Sequence, residues 1–177
     1  MEFNLIVIHE PGRENYGWAR NQVRGILGEG LTFVSAYQSV ILYRVEGDPH
    51  EAAARVRGEL KGASTPIIRV IPVDYVRNPV LDEVAEAVKA LAERIPGGET
   101  FRITLEGHLF SRRGEGVAVR MHTIDAVREL AKYVDRPVDL TNPSWIIYVR
   151  VVRFMRVRRK AAISLLKPEE IARVGYT

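Results

Sequence analysis

Two helical patterns and four strand-like runs alternate in the first 78 residues, and this order constrains the fold more than any other feature of the sequence. The apolar run at residues 5–8 indicates a buried strand. Apolar residues recur with helical spacing between Trp18 and Leu27. Asp48-Pro49 supplies the N-cap acceptor and the first-turn proline that begin a second helix. Further strand-like runs lie at residues 31–34, 40–45 and 65–76, the last with two prolines that suit an edge strand. The resulting βαββαβ order predicts a ferredoxin-like domain over residues 1–78.

A second α/β domain is predicted for residues 79–177, beginning at the cap-and-proline pair Asn78-Pro79. The segment from Leu81 to Ile95 places apolar residues at i, i+3, i+4 and i+7, which indicates an amphipathic helix. Apolar and polar residues alternate from Phe101 to Glu106, as in a strand with one buried face. The remaining predictions are a glycine- and arginine-rich loop at 107–119, a helix at 124–134, and strands at 138–154 and 161–166. The predicted fold class is therefore α/β (α+β).

The composition is that of an ordinary globular chain, with 46% hydrophobic and 27% charged residues. There is no cysteine, which excludes disulfides, thiolate zinc sites and cysteine nucleophiles. The lack of cysteine also fits a cytoplasmic protein, which we expect, and the sequence shows neither a signal-peptide pattern nor an apolar run long enough to span a bilayer. Residues 1–99 carry 11 basic and 14 acidic residues, whereas residues 100–177 carry 15 and 8. This concentration of positive charge favours a polyanion-binding surface, although a solvated basic face would give the same count.

The familiar catalytic motifs are absent from the sequence. None of the four histidines stands at a metal-ligand spacing, and no phosphate-binding loop, dinucleotide fingerprint or nucleophile elbow occurs. His50 is predicted to be exposed in the first turn of a helix, and His9 to end a strand. The sequence therefore predicts no catalytic residue, no metal and no cofactor, and we expect the chain not to be an enzyme.

The segment Val138-Asp139-Leu140-Thr141-Asn142-Pro143, followed by the hydrophobic run from Trp145 to Val151, resembles the signature strand of THUMP domains. A strand (FRITLEG), a basic loop (HLFSRRGEG) and a helix (MHTIDAVRELAKYV) precede it in the family's order. The resemblance covers about residues 80–170, and in this family a small ferredoxin-like domain commonly precedes the THUMP core. One departure is that Glu106-Gly107-His108 stands where the family usually places its first basic residues.

The resemblance implies binding of tRNA at the acceptor stem and 3′ end. Because the chain leaves little room for a further domain, it looks similar to stand-alone THUMP proteins that present tRNA to a separate enzyme, such as a tRNA acetyltransferase making N4-acetylcytidine. We therefore expect a non-catalytic tRNA-binding adaptor. Two alternatives stay open: a self-sufficient RNA-modifying enzyme with an unrecognised site, and an interaction module associated with the ribosome or other RNA.

The candidate RNA-binding residues fall into two groups, chosen because a guanidinium meets phosphate oxygens in a bidentate manner. If the strand continues past residue 154, Arg150, Arg156 and Arg158 share one face. His108 and Phe110 could stack on an unpaired 3′ base, or pack within the loop. Asn142 is expected to cap a turn and Pro143 to fix it, residues 145, 147, 149 and 151 to lie in the core, and Tyr16 and Trp18 to lie in the core or on a partner surface. The first group is Arg112, Arg113 and Arg120, the second is Arg150, Arg153, Arg156, Arg158, Arg159 and Lys160, and the full set also includes Arg102, His108 and Phe110.

Overall fold

The computed structural model describes residues 1–113 and 116–175, and these form two compact units. The first unit comprises Met1–Asp74, Arg153–Arg158 and the described residues from Glu169 onward, and the second comprises Tyr75–Val152 and Arg159–Pro168. Elements of the first unit occur in the order predicted from the sequence, βαββαβ. They are β1 (Leu5–His9), α1 (Arg13–Leu27), β2 (Leu31–Tyr37), β3 (Val40–Val45), α2 (Pro49–Leu60) and β4 (Ile67–Pro72).

The sheet of the first unit has the strand order β2-β3-β1-β4, with every neighbouring pair antiparallel. All five residues of β1 are buried, as expected for a central strand that reads as a continuous apolar run. Both helices add apolar side chains to the core, among them Val23 of α1 and Val56 of α2. Burial of each such side chain contributes about 1.5–3 kcal/mol to folding. Of the two aromatic residues left open by the sequence, Tyr16 packs against this core, whereas Trp18 is 42% exposed.

The segment predicted as one strand at residues 65–76 forms two separate strands. β4 ends at Pro72 and lies at the edge of the first sheet, where a residue without a backbone N–H is tolerated. β5 (Tyr75–Arg77) then joins the sheet of the second unit and pairs antiparallel with another strand there. The single-strand prediction was wrong because a continuous apolar pattern does not show which sheet each part of it joins.

His50 is not the exposed first-turn residue that the sequence predicted. The preceding Asp48 caps α2 as expected, accepting a hydrogen bond from the His50 backbone N–H at 2.8 Å. The His50 imidazole contacts two carboxylates, with Nε2 2.8 Å from Asp74 Oδ1 and Nδ1 3.0 Å from Glu170 Oε2. The hydrogen bonds to Asp74 and then to Glu170, against the opposing effect of burial, raise the pKa of His50 to about 10. The protonated imidazole therefore ties α2 to two segments distant in sequence.

The second unit combines a four-stranded sheet with two helices and a two-stranded hairpin. The sheet order is β5-β10-β9-β6, in which β6 runs parallel to β9 and β10 antiparallel to β5. Its core includes Val88, Phe101, Leu130 and Ile147, all fully or almost fully buried. The elements are α3 (Leu81–Ala92), β6 (Phe101–Glu106), β7 (Phe110–Arg113), β8 (Val117–Arg120), α4 (Thr123–Ala131), β9 (Trp145–Phe154) and β10 (Arg158–Leu166), followed by a short 3-10 helix at Pro168–Glu170.

The VDLTNP segment is a turn, whereas the sequence analysis placed it in a strand beginning at residue 138. β9 begins only at Trp145. The cap of this turn is Asp139 rather than Asn142, since Asp139 Oδ1 accepts the backbone N–H groups of Thr141 at 3.0 Å and Asn142 at 2.9 Å. These hydrogen bonds hold the pKa of the Asp139 carboxyl below its usual value. Asp139 also donates its backbone N–H to the Phe101 carbonyl, which fixes the turn to the start of β6.

Candidate nucleic-acid interface

The predicted loop at residues 107–119 is largely a β-hairpin, formed by β7 and β8. Two backbone contacts fix its base: Phe110 N–H donates to Pro79 O at 2.9 Å, and Met121 N–H donates to Leu109 O at 2.9 Å. The Leu109 side chain is fully buried in the core of the second unit. The hairpin is therefore anchored at its base by the core.

One face of this hairpin, called here the hairpin face, carries three of the candidate residues. In the β7–β8 register Phe110 lies opposite Arg120, and Arg112 lies opposite Ala118. Because directly paired residues and alternate residues of a strand share a face, these four side chains lie together. Arg112, Ala118 and Arg120 are exposed and Phe110 is half-buried. Among the described residues of the hairpin, this face combines two solvated guanidinium groups with an aromatic ring and carries no carboxylate.

Two further candidates flank or continue the hairpin. His108 is exposed just before β7, next to Gly107, whose φ of +96° is a conformation that glycine adopts far more readily than other residues. The backbone of Arg113 ends β7, but its side chain, together with Gly114 and Glu115, lies outside the described residues.

Arg102 and Arg150 have partners inside the second unit. Arg150 forms an ion pair with Glu106, its neighbour across the parallel β6–β9 pairing, and donates a hydrogen bond to the Tyr148 hydroxyl at 3.0 Å. Burial raises the pKa of Tyr148, and the Arg150 charge opposes that rise. Arg102 donates from Nη1 to the Leu140 carbonyl at 2.8 Å, and so helps to hold the VDLTNP turn. Both guanidinium groups are thus engaged in stabilising the sheet and its turn.

The second group of candidates does not lie on a single strand face. β9 ends at Phe154, and Met155 and Arg156 have positive φ angles of 52° and 68°, so the chain reverses before Arg158 begins β10. The strand alternation that would have placed Arg150, Arg156 and Arg158 together is broken at this turn. Arg153, Arg156 and Arg158 belong to the first unit, and Arg159 and Lys160 to the second. Arg159 is exposed, and Lys160 Nζ donates to Asn78 Oδ1 at 3.0 Å.

A cavity of about 470 Å³ opens beside the hairpin and α4. Val119 and Met121 provide apolar lining, while Arg120, His122 and Arg128 bring positive charge or hydrogen-bond donors to it. Asp125 and Glu129 balance part of that charge. Within residues 1–113 and 116–175, no cluster of histidines and carboxylates could hold a metal ion. None of the helices in the same ranges has the length and apolar character needed to cross a bilayer.

Comparisons with solved structures identify the fold. The structure of PH1313 from Pyrococcus horikoshii Ot3 matches with a TM-score of 0.60 at 14% sequence identity, over 93% of this chain and 55% of that one. A 4-thiouridine synthetase, solved as an RNA complex with bound ATP, matches with a TM-score of 0.56 at 12% sequence identity, over 94% of this chain and 42% of that one. A predicted N6-adenine-specific DNA methylase from Listeria monocytogenes str. 4b F2365 matches with a TM-score of 0.51 at 16% sequence identity, over 91% of this chain and 40% of that one.

The chain shares its α+β fold with these three solved structures. The α+β fold class predicted from the sequence is thereby confirmed. The chain spans about half the length of these solved structures. No protein-family model matches the sequence, and no curated protein sequence matches it.

The expectation that the chain is not an enzyme was wrong. It rested on the absence of familiar catalytic motifs, but the same fold occurs within a 4-thiouridine synthetase and a predicted methylase. The missing motifs therefore do not separate an adaptor from an enzyme.

Proposed function

We propose that this chain binds tRNA, with the hairpin face of the second unit contacting the acceptor region. The observation that carries the proposal is the β7–β8 register, which places exposed Arg112 and Arg120 on one face with Phe110. Guanidinium groups donate paired hydrogen bonds to phosphate oxygens and stay charged at physiological pH. An aromatic ring beside them offers a stacking surface for an unpaired base. The exposed His108 imidazole precedes the same hairpin and could extend that surface.

The domain assignment forms part of the proposal. We assign residues 1–78 to a ferredoxin-like domain and residues 79–177 to a THUMP domain, in keeping with the βαββαβ order of the first segment and the fold likeness of the whole. The RNA present in the 4-thiouridine synthetase complex supports RNA as the ligand class. The net positive charge of residues 100–177 supports it independently, because neutralising phosphates requires an excess of cations on one surface.

Reversing the two charges on the hairpin face tests this assignment. We expect the double variant Arg112→Glu/Arg120→Glu to bind a tRNA transcript at least ~10-fold more weakly at about 0.15 M salt, since two phosphate contacts become repulsive. The slope of log affinity against log salt should fall by about 1.5, at roughly 0.7–0.9 per lost contact. Fluorescence anisotropy titrations at several salt concentrations measure both quantities.

The matched control is Lys89→Glu/Arg94→Glu, which makes the same change in net charge at two exposed positions of the second unit away from the hairpin. It should change the affinity by less than about 3-fold. A transcript that lacks the unpaired 3′ end should bind the wild-type protein more weakly than the intact tRNA. Equal losses in both double variants would show that only net charge matters and that the hairpin face is not the site.

We further propose that tRNA binding serves a nucleoside modification, with N4-acetylcytidine as the first candidate. The resemblance to stand-alone THUMP proteins that present tRNA to a separate enzyme motivates this choice, and an acetyltransferase would be the corresponding partner. Mass spectrometry of tRNA nucleosides from cells with and without the gene tests it. Loss of N4-acetylcytidine alone would support the candidate, whereas loss of a different modified nucleoside would replace it.

A further inference from the structure

The turn between β9 and β10 exposes both apolar and basic side chains, and we call residues 153–158, the turn with its flanking strand residues, the basic turn. Met155 is 52% exposed and Val157 83% exposed. Arg156 and Arg158 are also exposed and alternate with these two residues in the sequence. No acidic residue occurs between positions 151 and 168. The basic turn therefore presents apolar groups within a strongly positive stretch of chain.

The backbone of the basic turn is strained at two consecutive positions. Met155 and Arg156 have φ angles of 52° and 68°. These values lie in the left-handed backbone region, which glycine and asparagine adopt more readily than other residues do. The sequence has neither of those residues there. Both side chains are exposed, so packing within the protein does not offset the strain. Tight β-hairpin turns favour positive φ at two consecutive residues, so the turn geometry holds these two exposed side chains in place at a cost in strain.

Contacts within the first unit hold the basic turn in one conformation. The Met155 backbone N–H donates to Ser35 Oγ at 3.2 Å, and Arg153 Nη1 donates to the Arg156 carbonyl at 3.0 Å. The Arg153 guanidinium also lies 5.1 Å from the centre of the Tyr37 ring, so this arginine supports the turn from within. Because the turn is already ordered, binding through Met155–Arg158 would cost little conformational entropy.

The chemistry of the basic turn fits a double-helical RNA better than a single strand. A single strand is usually gripped by aromatic rings that stack on its bases, and Met155 to Lys160 include no aromatic residue. The minor groove of an A-form helix is wide and shallow, with base edges on its floor, riboses and their 2′-hydroxyls lining it, and phosphates along both edges. A narrow turn with apolar groups at its tip and guanidinium groups beside them complements such a groove.

We propose that the basic turn enters the minor groove of a double-helical RNA segment, with Met155 and Val157 against the riboses and Arg156 and Arg158 on the phosphates. This inference rests on the proposed RNA-binding function but concerns a different surface, on the first unit rather than on the hairpin face. It assigns to that unit the recognition of helical RNA by shape.

The variant Met155→Asn/Arg156→Gly separates a binding role from a stabilising one. Asparagine and glycine accept positive φ, so the melting temperature should rise by about 3 °C or more. Affinity for a short blunt RNA duplex should nevertheless fall about 10-fold, measured by fluorescence anisotropy at about 0.15 M salt. Val157→Ser, which keeps the charge, should weaken duplex binding about 3-fold through loss of the apolar contact. Affinity for a single strand of the same length should change by less than about 2-fold in both variants.

The control is Arg55→Ala, which removes one exposed positive charge from α2 of the same unit and should leave duplex affinity within about 2-fold. Suppose that duplex affinity is unchanged in the basic-turn variants while Arg112→Glu/Arg120→Glu still binds tRNA more weakly than the wild-type protein. This inference then falls and the proposed function stands. If the wild-type protein binds neither duplex nor tRNA, both fall. Loss of binding to phosphatidylserine vesicles with duplex binding retained would make the basic turn a membrane contact and overturn the proposal.

Discussion

Replacement of His50 by alanine is expected to lower the free energy of unfolding by about 3 kcal/mol at pH 6. The imidazole is protonated there and makes hydrogen bonds to Asp74 at 2.8 Å and Glu170 at 3.0 Å. At about 1.4 kcal/mol per pKa unit, the rise from 6.5 to about 10 corresponds to at most about 5 kcal/mol. Since a quarter of the His50 side chain remains exposed to water, which weakens the interaction, we expect the smaller value.

The His50 contribution should depend on pH in one direction only. The folded state binds this proton more tightly than the unfolded state does, so the contribution is complete below about pH 6.5 and is lost as pH rises toward 10. Urea denaturation of the wild-type protein and of His50→Ala at pH 6 and pH 9.5 measures it. We expect the difference between the two proteins to shrink to about 1 kcal/mol or less at pH 9.5.

A suitable control for His50 is His122→Ala. His122 is exposed at the start of α4 and its side chain makes no capping hydrogen bond, so its removal should change stability by less than about 0.5 kcal/mol at either pH. A His50→Ala variant that matches the wild-type protein at pH 6, or that differs from it equally at both pH values, would contradict the role of the two carboxylates.

Replacement of Gly107 by alanine is the second change with a large expected effect, a loss of about 3 kcal/mol in the free energy of unfolding. Gly107 has a φ of +96°, and a Cβ built on it would lie 2.8 Å from the Val151 Cβ and 3.3 Å from its Cγ2. The disfavoured conformation costs about 1–2 kcal/mol, and the steric overlap adds a similar amount. Because Gly107 stands between β6 and the hairpin, RNA affinity should fall as well.

The contrasting substitution is Gly17→Ala in α1. A Cβ at Gly17 would meet no atom within 4 Å, and the residue has no positive φ, so alanine should stabilise the protein by about 0.5–1 kcal/mol. Thermal and urea denaturation of the two variants together measure the difference. A Gly107→Ala variant with wild-type stability would show that the β6–β7 connection adjusts at no cost, and the geometry described for the hairpin base would be wrong.

Local pattern was sufficient for most of the secondary structure. The apolar run of β1, the Asp48-Pro49 start of α2 and the i, i+3, i+4 spacing of α3 each reflect interactions among residues close in the chain, and all three elements were predicted correctly. The predicted edge position of β4 also follows from a local property, since proline lacks the backbone donor that an inner strand requires. The hairpin of β7 and β8 was missed because its glycines and arginines read as a loop.

The sequence could predict which residue types make up the candidate site, but not which of their side chains lie together on the surface. The sequence identified nine arginines between residues 102 and 159 as candidates, but whether each is exposed depends on its spatial neighbours. Arg150 faces Glu106 because β6 and β9 pair in parallel, a contact between residues 44 positions apart in the chain. Arg112 and Arg120 share a face because β7 and β8 pair in one register. Neither pairing has a local signature.

By itself, the sequence determined the βαββαβ order of the first segment, the α+β class and the basic character of the second half. Those properties depend on short-range spacing and on composition, which a single chain displays directly. Only the tertiary structure decided which arginines face solvent, where β9 begins, and that His50 is held by Asp74 and Glu170. These outcomes depend on which distant segments come into contact, and burial, pairing register and a raised pKa exist only once those contacts have formed.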